Sequence, residues 1–390
     1  MPLVDMGDML RAAYAQRYAI GAFDFVSLDM LEGILRGAER ARAPVILSVA
    51  ESHFRHFDVE LALAAAVVAA RRATVPVAIH FDHGSGIETA RRAIAQGCNG
   101  VMVDASDRPF AENVRITREV VAMAHRCGVP VEGELGYVTG VEGEDAELHP
   151  LDPQPTCPDE AEAYVAETGV DFLAVAIGTV HGRFRGTPEL DFERLAAIDR
   201  RLGMPLVLHG GSGLAEADYR QLAALGIAKI NVFTALADAA ATAIRERAAA
   251  GEDHLLRLCA DVREAVAQEV ERTVALFGSA GRAESLDARP WREVEHVVLW
   301  NSDGLSEGEV EGLFAEGRQA LAAIPGVRRV FTGRAVQAGA RFRYCWLVRF
   351  AGREVIASYR DHPHHLAFAD GRFRPVAADR CTIDFEDLGS

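Results

Sequence analysis

Residues 75–106 read VPVAIHFDHGSGIETARRAIAQGCNGVMVDAS, in which two short apolar runs, Val77–His83 and Gly100–Ala105, flank a stretch with helical periodicity. The same alternation extends from residue 19 to about residue 250 and is typical of βα units on a parallel sheet. Eight such units close a (β/α)₈ barrel, or TIM barrel, which is the fold class that we predict. The eight predicted strands are Ala19–Phe25, Val45–Ala50, Val77–His83, Gly100–Ala105, Val129–Leu135, Phe172–Gly178, Leu206–Gly210 and Lys229–Phe233.

Length and composition favour two globular domains. With 390 residues, the chain suits a barrel of roughly 250 residues and a module of about 100. A formal net charge of -16 argues against a nucleic-acid partner, because phosphate binding needs a basic surface. Six scattered cysteines without C-x-x-C spacing indicate a reduced cytoplasm. The acidic N-terminus argues against a signal peptide, and no apolar run reaches the length of a membrane span, about 18 residues.

A second domain is predicted after the barrel. The long predicted helix Glu252–Phe277 ends at Gly278, the residue type expected just beyond a helix C-terminus. We therefore place the barrel at 1–284, a linker at 285–293 and the second domain at 294–387. The later elements follow the β-α-β-β-α-β order of a ferredoxin-like α+β domain. They are a strand in Trp291–Trp300, a helix at Ser306–Ile324, strands at Arg328–Gly333 and Phe342–Phe350, a helix at Val355–Phe368 and a strand at Cys381–Phe385.

Three histidines come at or just after the ends of three predicted strands. His83 ends strand three, His181 follows strand six and His209 lies near the end of strand seven. The carboxyl ends of barrel strands form the active-site face. Three imidazoles with an open fourth position are how proteins hold a catalytic zinc that still accepts a substrate oxygen. A lone strand-end histidine is more often structural, but three of them beside Asp82 predict a Zn²⁺ site.

On these residues, the first 284 residues resemble the class II aldolases of the tagatose-bisphosphate and fructose-bisphosphate type. The resemblance implies that His83, His181 and His209 bind Zn²⁺. It also implies that Asp82 exchanges the proton of the C4 hydroxyl group when the carbon–carbon bond breaks. A lysine Schiff base is not needed, and Lys229 is the only lysine of the chain.

Three further acids acquire roles from the same resemblance. Glu134 matches a glutamate that lies near the metal and contacts it in alternative positions, and Asp104 matches an aspartate just outside the metal ligands. Counting onward from Glu134 places the glutamate that moves a proton at the nucleophilic carbon on Glu142, with Glu144 as the fallback. The run 136–157, rich in Gly, Pro and acids, predicts an active-site loop. Glu142 is equally well explained as a solvated acidic residue of that loop.

Glycines supply the predicted anion site. Gly210, Gly211, Ser212 and Gly213 lie between strand seven and its helix, where backbone N–H groups attract phosphate. G-G-S-G alone also fits a tight turn. Because it follows a zinc histidine and is followed by Asn231 and Thr234, it matches the family's dihydroxyacetone-phosphate cradle, to which Gly182 also belongs. In some relatives a monovalent cation is bound at matching positions, so the resemblance implies Na⁺ or K⁺ at Val180, Gly182, Gly210 and Ser212.

Two positions depart from the family pattern. Strand one ends with Asp24 where relatives usually carry asparagine, and Glu51 follows strand two, where relatives often place a phosphate-binding hydroxyl. Two carboxylates near a phosphate would repel it. We therefore expect an aldehyde half that is unphosphorylated or cationic, unless local arginines such as Arg55 hold both acids.

The C-terminal domain resembles the stress-responsive dimeric α/β barrel (Dabb) domains. The resemblance rests on the HVVLW strand and on the pattern Y-x-x-H-P-x-H-x-x-F that starts at Tyr359. In some relatives that act as polyketide cyclases the second histidine of that pattern is a base, which would be His365 here, with Tyr359 and His296 nearby. The alternative is that His362 and His365 fix a helix and a dimer interface.

Such a domain has helices on one sheet face only, so the other face needs a cover. A second copy would cover it with two-fold symmetry, which predicts a homo-oligomer, a dimer or a tetramer. The residues that we assign to this uncovered face are Val298, Trp300, Trp346 and Val348.

Two functions follow from these observations. The first is an aldolase that reversibly cleaves a ketose phosphate into dihydroxyacetone phosphate and an aldehyde. The second is a non-catalytic subunit of a larger aldolase assembly. The complete set of Asp82, His83, His181 and His209 favours the enzyme. A metal-dependent hydrolase on the same fold commonly opens with H-x-H on strand one, and strand one here carries no histidine.

Overall fold

The computed structural model describes residues 2–138, 154–182, 188–302 and 304–388. The chain divides into two compact units, which are described separately. The first comprises Met1–Ala90, Cys98–Val121 and Pro130–Pro290, and the second comprises Arg91–Gly97, Ala122–Val129 and Trp291–Ser390. Within the described residues, no helix combines the length and the apolar character needed to cross a bilayer.

The first unit contains a closed barrel of eight parallel strands that pair in chain order. The strands are β1 (Ile20–Asp24), β2 (Val45–Ala50), β3 (Val77–Gly84), β4 (Gly100–Val103), β5 (Val131–Leu135), β6 (Phe172–Val175), β7 (Leu206–Leu208) and β8 (Ile227–Val232). The ring closes where Ala22 of β1 pairs with Asn231 of β8. The predicted TIM barrel is therefore confirmed, and each of the eight predicted runs overlaps one strand, although β3 extends one residue further, to Gly84, and β8 begins earlier, at Ile227.

Helices alternate with these strands along the chain. They are α1 (Met6–Ala15), α2 (Leu28–Ala41), α3 (Val59–Arg72), α4 (Ile87–Gln96), α5 (Phe110–His125), α6 (Pro158–Thr168), α7 (Phe192–Leu202), α8 (Glu216–Ala224), α9 (Thr234–Ala249), α10 (Leu255–Leu258) and α11 (Val262–Leu276). Their ends follow local chemistry. Ser27 Oγ caps α2 by accepting a hydrogen bond from the Met30 amide, and Gly169 ends α6 in the left-handed conformation that glycine adopts readily.

The predicted helix Glu252–Phe277 was wrong in its extent, because it forms two helices, α10 and α11. Asp261, which precedes α11, accepts hydrogen bonds from Arg247 of α9 at 2.5 and 2.9 Å. Helix α11 then packs so closely on α2 that a Cβ at Gly37 would lie 2.4 Å from the carbonyl oxygen of Ala267. Helix α11 is therefore anchored on α2, whereas α10 exposes Leu255 and Leu256.

The N-terminal end of the barrel is filled with apolar side chains. Met6, Met9 and Leu10 of α1 pack in one buried cluster with inward residues of the strands, among them Ala78 and Phe172. Burial of this apolar surface stabilises the N-terminal end of the barrel. Polar groups are consequently concentrated at the opposite, carboxyl end of the strands.

The second unit contains an antiparallel sheet in the order β10-β11-β9-β12. Its elements are β9 (Val294–Trp300), α12 (Glu307–Ala322), β10 (Val327–Arg334), β11 (Tyr344–Phe350), α13 (Val355–Arg360), α14 (Pro363–Phe368) and β12 (Arg380–Glu386). The predicted β-α-β-β-α-β order is confirmed, with the last helix divided into α13 and α14. Aromatic side chains join the sheet to its helices, since the rings of Trp346 and Phe314 lie 4.9 Å apart.

The predicted uncovered sheet face was wrong. Val298, Trp300, Trp346 and Val348 are buried on the face that the helices cover. The opposite face carries the residues between them in sequence, such as Val297 and Leu347, which pair across β9 and β11. Both faces of these strands are apolar in sequence, so the alternation of residues could not show which face the helices cover. In the structure the two tryptophans lie on the covered face. Phe331, Ile383 and Phe385 on the other face are 40%, 47% and 53% exposed.

Candidate active site

The three predicted zinc histidines lie together at the carboxyl end of the barrel. The ring centroids are 4.6 Å apart for His83 and His209, 5.1 Å for His83 and His181, and 5.7 Å for His181 and His209. One nitrogen from each ring lies within 4.8 Å of those of the other two. Imidazole nitrogens at such spacing fit zinc, which binds them at about 2.0–2.1 Å.

A local irregularity of β3 places two consecutive side chains in this site. Neighbouring residues of a regular strand point to opposite faces, yet both Asp82 and His83 reach the histidine cluster. The pairing of β3 with β4 shifts register between Phe81 and Gly84, and His83 has φ +48°, in the left-handed region. Gly84 permits the bend, because a Cβ there would lie 2.4 Å from the Phe81 ring. A non-glycine residue in this conformation stores strain, as is common at functional sites.

Two of the histidines are oriented by carboxylates. His83 Nδ1 lies 2.8 Å from Asp104 Oδ2, and His209 Nε2 lies 2.9 Å from Glu132 Oε1. The remaining nitrogens, His83 Nε2 and His209 Nδ1, face each other at 2.9 Å. Asp104 is itself held by the amide and hydroxyl of Ser106. A ring whose second nitrogen is bound by a carboxylate presents its first nitrogen in a fixed direction, which is how metal-binding histidines are commonly held.

Burial keeps two of these imidazoles neutral. It lowers the pKa of His181, and the neighbouring rings of His83 and His209 lower it further. Burial likewise lowers the pKa of His209, again with a contribution from His83. For His83, burial acts in the same direction, but the carboxylates of Asp82 and Asp104 outweigh it and raise its pKa. Neutral imidazole is the form that binds a metal.

Asp82 is buried beside the histidine cluster. Asn231 Nδ2 donates a hydrogen bond of 2.9 Å to Asp82 Oδ2, and His83 Nε2 lies 3.7 Å from the same oxygen. On the other oxygen, His80 Nε2 lies 3.6 Å away. Burial alone would raise the pKa of Asp82, but the charge on His83 and the contact with His80 hold it well below its usual range. The carboxylate is therefore ionised and fixed next to the three imidazoles.

Glu134 lies at the edge of the same cluster. Its Oε2 is 3.5 Å from His209 Nδ1, and with His83 and Asp104 it forms a second group that could hold a metal ion. Burial raises the pKa of Glu134 well above its usual range, and the nearby carboxylate of Asp104 raises it further. A cation bound among these side chains would instead lower the pKa of Glu134, because it would stabilise the ionised carboxylate.

Sequence reasoning missed a buried layer of titratable side chains beneath the histidines, formed by His80, Glu132 and Lys229. All three are fully buried. Lys229 Nζ lies 2.8 Å from Glu132 Oε2. Burial alone would raise the pKa of Glu132, but the Lys229 ammonium group and the hydrogen bond with His209 lower it to about 2. The sequence did contain an indication of this layer, because Glu132 and Lys229 each precede a site residue by two positions and so share its strand face.

The glycine-rich turn after β7 packs directly on the segment after β6. Gly210 has φ +63°, and a Cβ there would lie 2.2 Å from the carbonyl oxygen of Val180. Ser212 is half-buried in the turn, and α8 begins only at Glu216. Thr234 is the first residue of α9. Gly210–Gly213 and the N-terminus of α9 thus follow the adjacent strands β7 and β8, where TIM barrels frequently bind phosphate.

The two departures from the family pattern differ in their surroundings. Asp24 is fully buried at the end of β1. Glu51 accepts hydrogen bonds from the amide and the hydroxyl of Ser85, at 2.7 and 2.9 Å. The loop that follows β3 therefore holds Glu51. Glu142 and its fallback Glu144 lie outside the described residues.

Two of the histidines singled out in the second unit, His296 and His365, line a cavity of about 540 Å³ between the sheet and its helices, together with Tyr359. His296 Nδ1 lies 2.6 Å from Asp384 Oδ1, and the rings of Tyr359 and His365 are 4.5 Å apart. His362 caps α14 by accepting a hydrogen bond from the His364 amide. This cap agrees with the structural interpretation of His362.

A parallel eight-stranded barrel with this cluster at its mouth is the arrangement of a TIM-barrel enzyme with a candidate metal site. Residues 4–282 match the family described as fructose-bisphosphate aldolase class-II, and residues 294–387 match the stress responsive A/B barrel domain. The chain therefore belongs to the class-II fructose-bisphosphate aldolase family, with a Dabb domain at its C-terminal end. It is accordingly a class II aldolase, a carbon–carbon lyase.

Relatives cover the barrel almost from end to end. The chain is 41% identical over 288 residues to a probable fructose-bisphosphate aldolase of Bacillus subtilis, a match that covers 73% of this chain and 100% of that protein. It is 39% identical over 291 residues to the fructose-bisphosphate aldolase of Staphylococcus epidermidis, again 73% of this chain and 100% of the relative. The crystal structure of the YdjI aldolase from Escherichia coli matches with a TM-score of 0.65 at 38% identity, covering 72% of this chain and 99% of that one.

Proposed function

We propose that this protein is a zinc-dependent aldolase that reversibly cleaves a ketose phosphate into dihydroxyacetone phosphate and an aldehyde. The observation that carries the proposal is the convergence of His83, His181 and His209 beside the buried carboxylate of Asp82. The donor set consists of imidazole nitrogens, two of them oriented by carboxylates, and this set suits zinc. When bound, zinc supplies a Lewis acid that polarises the ketose carbonyl group.

Asp82 is the proposed acid/base residue. Cleavage breaks the bond between C3 and C4 of the ketose, and the proton of the C4 hydroxyl group must leave as the aldehyde forms. Asp82 is ionised and held by Asn231 at 2.9 Å, so it can accept that proton in cleavage and return it in synthesis. Glu142 is proposed for the second proton, at the nucleophilic carbon of the donor half.

The proposed phosphate site lies between the turn Gly210–Gly213 and the start of α9 at Thr234. Backbone N–H groups and the positive end of a helix dipole bind phosphate without basic side chains. Asn231 of β8 donates a hydrogen bond to Asp82, and its Oδ1 atom is buried without a hydrogen-bond partner among the described residues. We further propose that Na⁺ or K⁺ binds near the Val180 carbonyl, with Gly182, Gly210 and Ser212.

The substrate is proposed to carry a single phosphate, at the donor end. Asp24 places a carboxylate inside the barrel at the end of β1, and Glu51 adds a second carboxylate near the end of β2. Like charges near a second phosphate would weaken its binding. The aldehyde half is therefore expected to be unphosphorylated or cationic.

A direct experiment tests this function against the non-catalytic alternative. The protein is stripped of metal with a chelator, reloaded with Zn²⁺, and assayed for triose-phosphate release from a set of ketose 1-phosphates and bisphosphates. We expect release only from the zinc-loaded protein. A zinc-loaded protein that releases no triose phosphate from any of them, and forms no ketose from dihydroxyacetone phosphate and aldehydes, would support the non-catalytic subunit instead.

A further inference from the structure

Lys229 occupies an unusual position for a charged side chain. It is fully buried in the barrel, one layer below the histidine cluster. Its ammonium nitrogen lies 2.8 Å from Glu132 Oε2 and 3.8 Å from Asp82 Oδ1. The other oxygen of Glu132 lies 2.9 Å from His209 Nε2. One lysine thus contacts both the carboxylate that orients a proposed zinc ligand and the proposed acid/base carboxylate.

Structural stability alone gives little reason for this arrangement. Burying an ion pair removes two charges from water, and a well-packed apolar pair of similar volume is often as stable or more stable. The inward-facing layers of barrels are ordinarily filled by branched apolar residues. The composition adds an independent argument, since the chain has 41 basic residues and Lys229 is the only lysine among them. All the remaining basic residues are arginines, so the compact ammonium group of lysine is used at this position alone.

The contacts specify which nitrogen of His209 faces the metal site. A carboxylate paired with an ammonium group is a hydrogen-bond acceptor only, so the proton of the imidazole lies on Nε2, towards Glu132. The lone pair of Nδ1 then faces His83 Nε2, 2.9 Å away. His83 is fixed from the opposite side by Asp104, which in turn accepts a hydrogen bond from the Ser106 hydroxyl group. The two rings are thus held from two directions, one from the mouth and one from the barrel core.

We propose that Lys229 is a positioning residue which, through Glu132, fixes the orientation of His209 and thereby sets the affinity of the three-histidine site for zinc. The proposal rests on the proposed function, in which His83, His181 and His209 hold the metal. It assigns to Lys229 no contact with substrate and no proton transfer. Outer partners of metal-binding histidines typically contribute about 10- to 100-fold to metal affinity.

The test measures zinc affinity rather than turnover. The full-length protein and the variants Lys229→Met, Glu132→Gln and Lys229→Met/Glu132→Gln are titrated with Zn²⁺ against a chromogenic chelator. We expect each single variant to bind zinc about 10- to 100-fold more weakly. The double variant should lose little more than the weaker-binding single variant, because both residues act through one chain of contacts. The visible spectrum of the Co²⁺-loaded protein should change with each variant, because it reports the arrangement of the ligands.

A matched control separates this effect from general destabilisation. Arg328 and Glu293 form another buried ion pair, in the second unit, with side chains 5% and 6% exposed. Arg328→Met should lower the thermal unfolding temperature while leaving zinc affinity and the Co²⁺ spectrum unchanged. If Lys229→Met does not fold, Glu132→Gln decides, because it keeps the shape of the side chain and removes only its charge.

Two results would overturn the proposal. Unchanged zinc affinity and Co²⁺ spectrum in folded Lys229→Met or Glu132→Gln would show that the pair does not position His209. Tighter zinc binding by Lys229→Met would also contradict the proposal. It would show that the Lys229 ammonium group acts only by repelling Zn²⁺, so that its removal strengthens zinc binding. Failure of the proposed function has a different signature, because His209→Ala would then bind zinc as well as the unaltered protein does.

Discussion

Alanine at position 82 removes a buried carboxylate but none of the three imidazoles. In the structure this carboxylate accepts a hydrogen bond of 2.9 Å from Asn231 and lies 3.7 Å from His83 Nε2. His83 retains its partner Asp104 at 2.8 Å, and His209 retains Glu132. Two of the three proposed zinc ligands therefore keep the contacts that orient them. We expect Asp82→Ala to bind one zinc ion per chain and to lose turnover.

Both consequences of the substitution have a calculable size. One positioned acid/base group contributes about 10²- to 10⁴-fold to rate, which corresponds to about 3–5 kcal/mol of activation free energy. The free energy of unfolding should fall by less than the activation free energy rises. The Asn231 amide would lose its acceptor, and an unsatisfied buried donor costs about 1–3 kcal/mol. The variant should therefore unfold at a lower temperature but remain folded at 25 °C.

The assay compares turnover per bound zinc ion, with metal content measured on the same sample. Asp104→Asn is the contrasting variant, because it disturbs the partner of His83 and leaves Asp82 in place. It should weaken zinc binding by about 10- to 100-fold yet keep turnover per bound zinc within about tenfold of the unaltered protein. An Asp82→Ala protein that lost its zinc but kept its rate per remaining zinc would refute the reasoning, because Asp82 would then be a ligand.

Chelation should abolish cleavage, and Zn²⁺ should restore it in the unaltered protein but not in His209→Ala; full activity of that variant would exclude the proposed zinc site. A ketose 1-phosphate should have a kcat/KM at least about tenfold above that of the matching bisphosphate, and Asp24→Asn should narrow the gap; equal values before substitution would contradict the assigned specificity. Ile383→Glu, on the exposed sheet face of the second unit, should lower the oligomeric state measured by light scattering, whereas an unchanged size would show that this face does not pair two copies. Because the pKa of Glu132 is lowered from its ordinary value of 4.5 to about 2, its ionised form stabilises the metal-free fold at pH values above 4.5. The difference in unfolding free energy between the protein and Glu132→Gln, from urea titrations, should therefore shrink as the pH falls from about 4.5 towards 2; a pH-independent difference would contradict this assignment.

Most of the barrel and the core of its site could be predicted without coordinates. Each strand was marked by a short apolar run bounded by turn residues, and each of the three histidines stood at or just after the end of such a run. Parallel strands bring their carboxyl ends to one edge of the barrel, so order along the chain was enough to predict that His83, His181 and His209 would lie close together. Three independent strand ends pointed to the same chemistry.

Residues that act through pairing across the barrel were harder to predict. Glu132 and Lys229 are 97 positions apart and meet only because the ring closes, so neither indicates the other in the sequence. The sheet face of the second unit was misassigned for a related reason. Runs such as HVVLW and YCWLV are apolar at both parities, so only the packing of Trp346 against Phe314 showed which side the helices cover.

The sequence by itself determined the order of the strands, the fold class of the barrel and of the α+β domain that follows it, and which histidines stand at the barrel mouth. These properties depend on local periodicity and on the topology of parallel strands. Tertiary structure alone showed how the consecutive residues Asp82 and His83 can both reach the site, through a register shift and a left-handed residue at the end of β3. It also decided which ring nitrogen of His83 and of His209 is bound by a carboxylate and which one faces the histidine cluster. Side-chain direction and long-range pairing depend on backbone irregularity and closure of the sheet, and neither leaves a periodic pattern in the sequence.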